Sequence, residues 1–159
     1  MSKEFQAFYK GFMKADTWAV RKEGVPLELL DKLTNDEKIM AEQILIENAN
    51  VGDSWQIIGL GYLKSEKSLI KLYRLLSKAK KEMKVIIAHS IYQICEDPKM
   101  IEIALTETKK LKNWYEIIDI LYMLPDFNDE KVNKMLVEFC SHKEYLVSYN
   151  AKRALGIIE

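Results

Sequence analysis

The sequence predicts an all-α protein, and three observations support that prediction. Glycine and proline are scarce, with six and three residues among 159, which favours long helices with short links over a many-turned β fold. Apolar residues recur at helical spacing, as at Leu69, Leu72, Leu75 and Leu76, so that one face of a helix is apolar. The pattern also repeats about every 30 residues, which is typical of stacked helical repeats.

The first 33 residues are predicted to cover one end of the core with helices. The first helix, over residues 3–14, has one face with five large apolar residues, namely Phe5, Phe8, Tyr9, Phe12 and Met13. Such a face could instead dock on a membrane surface or a partner. Residues 16–24 lack periodicity and predict a connection in which Trp18 is buried. Pro26 suits the first position of a short helix that ends near Leu33.

A capping pattern opens the next helix, and seven further helices follow. In the run from Thr34 to Glu37, the threonine hydroxyl and the glutamate carboxylate can each accept from a free backbone N–H. The helix that begins there is predicted to end near residues 48–52. Beyond it, helices are predicted over 53–63, 66–79, 82–95, 98–110, 112–123, 128–140 and 143–158. The pairs Asp97-Pro98 and Pro125-Asp126 supply the breaks between helices where they fall.

The repeat can be followed by position. Leu60, Ile91, Leu121 and Leu155 follow one another at intervals of 31, 30 and 34 residues, and Leu63, Ile94, Leu124 and Ile158 run in parallel. The first unit reads leucine, glycine, any residue, leucine, a polar turn and then a leucine-spaced helix, and the Leu-Gly pair returns at residues 155–156. Over residues 36–158 this order resembles the short, roughly 30-residue version of the HEAT-like helical repeat.

The resemblance implies a right-handed α-α superhelix, or solenoid, of about four helix pairs with an amino-terminal helical cap. The chain would form one domain, with the cap over residues 1–33 and the repeats over 34–159. Two features depart from the HEAT-like pattern: Tyr92 and Tyr122 stand where glycine is usual, and the third unit lacks the usual Val-Arg pair. A globular bundle of eight to ten unrelated helices is the alternative architecture.

In HEAT-like arrays the second helix of each pair lines the concave side, which implies a strip of binding residues. Side chains three or four positions apart share one helical face, and tryptophan, tyrosine and arginine concentrate binding energy at interfaces. The candidates for partner binding are Trp55, Ile58, Tyr62, Ile86, His89, Gln93, Tyr115, Glu116, Asp119, Met123, Tyr149, Asn150 and Arg153. Some of these aromatic residues could instead fill gaps between stacked units.

Motifs for catalysis, metals and cofactors are not found in the sequence. There is no HExxH, glycine-rich phosphate loop or GxSxG, and no cysteine or histidine spacing suited to a metal. His89 and Asp119 occupy matching positions in adjacent units and could form a pair that orients a base. Glu116 and Asp119 share a face, but no third ligand is in sight. We therefore expect no enzyme activity, no metal and no cofactor.

Charge bears on the kind of partner. The chain has 24 basic and 24 acidic residues, whereas proteins that bind nucleic acid through phosphates usually carry a basic excess. Four basic residues, Lys67, Lys71, Arg74 and Lys78, form a stripe on one predicted helix. We expect this stripe to be the solvated convex side. The alternative is a surface that follows phosphates, as in the HEAT-like DNA glycosylases.

Taken together, the resemblance and the strip predict a non-catalytic protein that binds another protein along its concave side. Its size and its Lys/Ile/Asn-rich composition are similar to those of small bacterial HEAT-like adaptors and toxin-immunity proteins, so the partner could be a toxin or effector. Cys95 and Cys140 are expected to be reduced thiols of a cytoplasmic protein. No signal peptide or membrane span is predicted, and we expect a monomer or a weak homodimer.

Overall fold

The computed structural model describes all 159 residues and is entirely helical, with 72% of the chain in helices and no β-strand. The eleven α-helices are α1 (Lys3–Met13), α2 (Trp18–Arg21), α3 (Glu28–Asp31), α4 (Asn35–Asn48), α5 (Ser54–Tyr62), α6 (Leu69–Lys78), α7 (Lys81–Cys95), α8 (Lys99–Lys110), α9 (Trp114–Leu121), α10 (Glu130–Phe139) and α11 (Tyr145–Ala154). Two 3-10 turns, Glu66–Ser68 and Leu124–Phe127, precede α6 and follow α9. The predicted all-α class is confirmed.

Side-chain caps fix where several of the helices begin. Thr34 accepts from the backbone N–H of Glu37 while the Glu37 carboxylate accepts from the N–H of Thr34, which is the predicted capping box. Asp53 accepts from the N–H of Trp55 at the start of α5, and Asp129 accepts from two N–H groups at the start of α10. Each cap satisfies a backbone donor that has no partner within its helix.

The amino-terminal helix buries the face that its sequence predicts. Phe5, Phe8 and Phe12 are almost fully buried, and α1 packs against α3 and α4. Their rings lie 5.6 and 5.3 Å apart in sequence order, in tilted arrangements that suit aromatic pairs. Tyr9, by contrast, is 40% exposed.

The prediction for residues 16–24 was wrong in one respect. Trp18 is 78% exposed rather than buried, because it begins the single-turn helix α2 and no neighbouring helix covers it. The Lys22 ammonium lies 5.3 Å from the centre of its ring, a cation–π contact at the surface. The short helix expected after Pro26 is the single turn α3.

The later helices pack in two rows. One row runs through α5, α7, α9 and α11, in which each helix packs against the next. On the other side, α4 packs on α5, α6 on α7 and α10 on α11, while α8 contacts both α7 and α10. One cluster of 33 buried apolar residues extends from Phe5 to Ala151 between the rows. The longest helix has 15 residues, and none has the length and apolarity that a membrane span needs.

A close approach of α5 to α7 depends on a glycine. Gly61 lies in the last turn of α5, within the helix predicted over residues 53–63. A Cβ at this position would lie 2.8 Å from Ser90 Oγ and 2.9 Å from Ser90 Cα. Ser90 Oγ in turn donates to the carbonyl of Ile57 at 3.0 Å. The backbones of α5 and α7 therefore lie in close contact at this point.

Candidate functional site

A groove of about 700 Å³ opens along the row formed by α5, α7 and α9. Its remaining wall comes from residues 21–27, the end of α2 and the connection to α3. Eight of the thirteen predicted binding residues line it, namely Trp55, Ile58, Tyr62, Ile86, His89, Gln93, Asp119 and Met123. Three successive helices of the row thus contribute to one concave surface.

Two predicted residues on α9 lie outside the groove. Tyr115 is 53% exposed, and its ring meets Trp114 edge to face at 5.7 Å. Glu116 is only 6% exposed because it turns toward the start of α7, where Lys81 Nζ donates to its carboxylate at 3.2 Å. That contact raises the pKa of Lys81. The paired acidic patch expected from Glu116 and Asp119 therefore does not form at one place.

The three candidates on α11 do not line the groove either. Tyr149 stacks on Tyr145 with ring centres 5.8 Å apart, and the Arg153 guanidinium lies 5.9 Å from the Tyr149 ring. Asn150 Oδ1 accepts from the hydroxyl of Tyr122 at 2.8 Å, and Tyr122 does line the groove. These residues continue the row beyond the groove rather than forming part of its lining.

Trp55 is at the groove but is largely covered, which differs from the exposed anchor that the sequence suggested. It is 6% exposed, with Phe12 against one side at 6.5 Å and the Arg21 guanidinium 4.1 Å from its ring centre. Arg21 also binds Asp53 through two hydrogen bonds of 2.6 and 3.3 Å and the carbonyl of Ala15 at 3.1 Å. On this side of the groove, Phe12 and Arg21 therefore cover Trp55, and the charge of Arg21 is paired with that of Asp53.

His89 has a different partner from the one predicted. Its Nε2 lies 2.8 Å from Asp126 Oδ2, not against Asp119. Asp126 reaches it because the 3-10 turn Leu124–Phe127 folds back onto α7, and Phe127 packs on the imidazole edge to face at 5.7 Å. His89 is 5% exposed, and its Nδ1 is buried with no hydrogen-bond partner.

Asp119 lies at the exposed edge of the groove in an unfavourable electrostatic setting. Its pKa is raised, first by desolvation between the walls and then by the carboxylates of Glu82 and Glu116. Glu82 occupies the first turn of α7, and its Oε2 is buried without a partner. No contact with Lys or Arg offsets these effects at Asp119. Asp119 therefore has no cation partner within the chain.

The open rim of the groove is formed by two tyrosines. Tyr62 and Tyr122 are 41% and 48% exposed. The Tyr62 hydroxyl donates to both carboxylate oxygens of Asp31 at 2.9 and 2.8 Å, which raises its pKa, and Tyr122 donates to Asn150. Both side chains are therefore fixed in orientation while part of each remains exposed to solvent.

Several groove residues were missed by the sequence analysis. Arg21 and Asp126 come from a connection and a turn, where no periodicity marks a face. Tyr122 is three positions after Asp119 and so shares its face, a signal that was present, but it was interpreted only as a replacement for glycine. Asp53 was recognisable as a cap from the run Asp53-Ser54, but its pairing with Arg21, 32 positions earlier, had no sequence signal.

One residue of the basic stripe, Lys71, is engaged by other parts of the chain. Lys71 donates to the carbonyls of Ile46 and, at 3.2 Å, Glu47, so it satisfies acceptors at the carboxyl end of α4. Arg74 and Lys78 are exposed on α6, and Lys67 is exposed in the 3-10 turn before it. None of the three lines the groove. Ser90 is fully buried outside the groove lining and donates to a backbone carbonyl. No group of three or more His, Cys, Asp or Glu residues is placed to hold a metal.

Comparison of the chain with protein-family models, with curated proteins and with solved structures finds no match. The HEAT-like resemblance therefore stays a prediction from the sequence.

Proposed function

We propose that this chain is a HEAT-like solenoid, a right-handed superhelix of about four helix pairs with an amino-terminal cap. We propose that its groove binds a segment of another protein without catalysis or a cofactor. The row through α5, α7, α9 and α11, with partner helices behind it, supports the architecture. Helix pairs that stack in this way present one helix of each pair to a common concave surface.

The groove carries the functional proposal. Its volume of about 700 Å³ suits a few side chains of a partner segment. Tyr62 and Tyr122 are half exposed and held by hydrogen bonds to Asp31 and Asn150, so they can bury large areas with little loss of side-chain entropy. Ile58, Ile86 and Met123 supply apolar surface between them.

The mechanism that this arrangement supports is occlusion. A protein that fills its groove with a partner's segment covers that segment, which is how an adaptor or an immunity protein of a bacterial toxin or effector would act in the cytoplasm. The two cysteines are free, in keeping with a reducing compartment.

Site-specific photo-crosslinking tests this proposal in the native cell extract. With benzoylphenylalanine at Met123, in the groove, we expect a protein adduct of discrete mass. The matched control carries the same group at Val137, which is 55% exposed on α10 and does not line the groove. Equal crosslinking at both positions, or none at Met123, contradicts the proposal.

A substitution gives the energetic test with the captured partner. Tyr122→Ala removes half of the tyrosine rim and should weaken binding about tenfold or more, the size of effect typical of a central aromatic residue. Tyr145→Ala serves as the control because Tyr145 is exposed and outside the groove. Unchanged affinity in Tyr122→Ala would contradict a role for the groove.

A second candidate function is nucleic-acid binding, as in the HEAT-like DNA glycosylases. Lys67, Arg74 and Lys78, which are exposed and form no ion pair, favour it. That function requires binding to duplex DNA that weakens steeply with salt and is lost in Arg74→Glu with Lys78→Glu. The absence of binding at low salt would exclude it.

A further inference from the structure

The two sides of the groove differ in charge balance, and that difference indicates what the partner carries. On the side of α2, Arg21 is paired with Asp53 at 2.6 Å and Lys22 lies 3.9 Å from Glu23. On the side of α9, Asp119 forms no ion pair, while Glu116, outside the groove, is paired with Lys81. Both cations that line the groove are thus paired within the chain, whereas its two lining carboxylates, Asp119 and Asp126, have no Lys or Arg partner.

The carboxylates on the α9 side have unused acceptor capacity. Asp126 uses one oxygen on His89 and its side chain is 50% exposed, so its other oxygen remains open to a donor. Asp119 is exposed and lines the same groove. A carboxylate oxygen only accepts hydrogen bonds, so this side requires donors.

His89 gives an independent indication of a missing hydrogen-bond partner. It is 5% exposed, and its Nδ1 has no partner. The Asp126 carboxylate accepts from Nε2, so Nδ1 is the ring nitrogen whose hydrogen-bonding capacity is unused. The imidazole lines the same groove, next to the carboxylates that lack a cation.

We propose that the partner segment inserts the guanidinium of an arginine between Asp119 and Asp126, with the ring of Tyr122 beside it. This inference rests on the proposed function, since it names the chemistry of the segment that the groove binds. A guanidinium has five donors in a plane and can serve two carboxylates at once, while its flat face stacks on an aromatic ring. A lysine ammonium lacks that geometry.

Selection from a random twelve-residue peptide library on the immobilised full chain tests this inference. Enriched peptides are synthesised, and their affinities for wild type and Tyr122→Ala are measured by fluorescence anisotropy. Peptides that lose affinity in Tyr122→Ala bind the groove. We expect those peptides to contain arginine, and replacement of that arginine by citrulline, which is neutral and nearly isosteric, should weaken binding at least tenfold.

Protein variants locate the contact. Asp119→Asn and Asp126→Asn should each weaken the arginine peptide at least fivefold, and neither should affect the citrulline peptide. Glu138→Gln, which changes an exposed carboxylate on α10 outside the groove, should leave both peptides unchanged. Thermal unfolding followed by circular dichroism confirms that each variant is folded at the assay temperature.

The outcomes separate the two proposals. Groove-dependent peptides that lack arginine, or that tolerate citrulline within twofold, overturn the arginine assignment and leave the groove as a protein-binding site. If no selected peptide depends on Tyr122, the proposed function fails and the inference fails with it.

Discussion

The two walls of the groove show opposite ways of placing charge at one surface. In the α2 wall, Arg21 is held by Asp53, by the carbonyl of Ala15 and by the ring of Trp55. In the α9 wall, Asp119 has carboxylates for neighbours and a raised pKa. The first arrangement stabilises the fold and leaves little to offer a ligand. The second destabilises the folded chain when Asp119 is ionised. A partner that places a positive charge there would therefore gain binding free energy by offsetting the repulsion.

The largest effect is expected from separating α5 from α7, the two helices that lie between these walls in the row. Gly61→Ala would place a Cβ 2.9 Å from the backbone of Ser90, and backbone cannot move aside as a side chain can. We expect a loss of about 3 kcal/mol in the free energy of unfolding, the upper range for overpacking, measured by urea denaturation. Gly59→Ala meets only the Phe12 ring and a Leu45 methyl, at 3.0 and 3.1 Å, and should cost under about 1 kcal/mol. Equal losses would contradict this account.

The next effect comes from breaking the paired wall. Asp53→Ala removes both the cap of α5 and the partner of Arg21, and we expect a loss of about 2 kcal/mol in urea denaturation. Asp129→Ala is the matched control, because Asp129 caps α10 but forms no ion pair. It should cost about 1 kcal/mol. A control loss as large as that of Asp53→Ala would mean that the ion pair contributes nothing.

A third carboxylate, that of Asp97, has its hydrogen-bond partners in place and should make the stability of the fold depend on pH. Asp97 accepts from the Tyr73 hydroxyl at 2.5 Å and from the N–H of Lys99 at 3.0 Å, which lowers its pKa and raises that of Tyr73. The resulting stability is present above the unfolded-state pKa of about 3.9 and is lost as pH falls through the lower folded-state value.

Tyr73→Phe tests that dependence. The variant should be less stable than wild type by about 1 kcal/mol at pH 7, with the difference shrinking as the pH falls below about 4. Tyr9→Phe is the control, since the Tyr9 hydroxyl, partly exposed, makes no hydrogen bond. A Tyr73→Phe difference that is constant from pH 7 to pH 2.5 would contradict the linkage.

The smallest effect has the opposite sign and concerns the unpaired wall. Because the pKa of Asp119 is raised, ionisation of Asp119 costs stability as pH rises through the folded-state value, and stability is greatest below the unfolded-state pKa. Asp119→Asn should therefore be more stable than wild type at pH 7, by under about 1 kcal/mol because the site is exposed. The gain should vanish near pH 3, and Glu138→Gln should show no gain. A loss of stability in Asp119→Asn at pH 7 would contradict repulsion at this wall.

Helix positions could be predicted from the sequence because they depend on local patterns. The apolar spacing and scarce glycine place α4 to α11 within a few residues of their observed bounds, and the Thr34 capping box is seen as predicted. Those signals lie within one or two turns of chain. The concave side was also predictable in part, since residues such as Ile58, Ile86 and Met123 share a face that periodicity reveals.

What could not be predicted depends on pairings between distant segments. The cover that Arg21 provides for Trp55 joins a short connection to α5, and the bond from His89 to Asp126 depends on how one 3-10 turn folds back. Glu116 points toward Lys81 on α7. The spacing of residues along α9 does not determine which neighbouring helix this side chain contacts. Trp18 was expected to be buried in the connection, but it is 78% exposed because no helix packs over the single-turn helix α2.

The contact between Gly61 and Ser90 means that the helix spacing and the binding surface depend on different residues. The spacing of α5 and α7 is set by a residue without a side chain, buried beneath the surface that a partner would meet. Substitutions at Ile58, Tyr62 or Asp119 can therefore alter what the groove accepts without moving its walls. A library that randomises those lining positions while keeping the glycine should yield folded variants with new specificities, which makes the chain a usable scaffold.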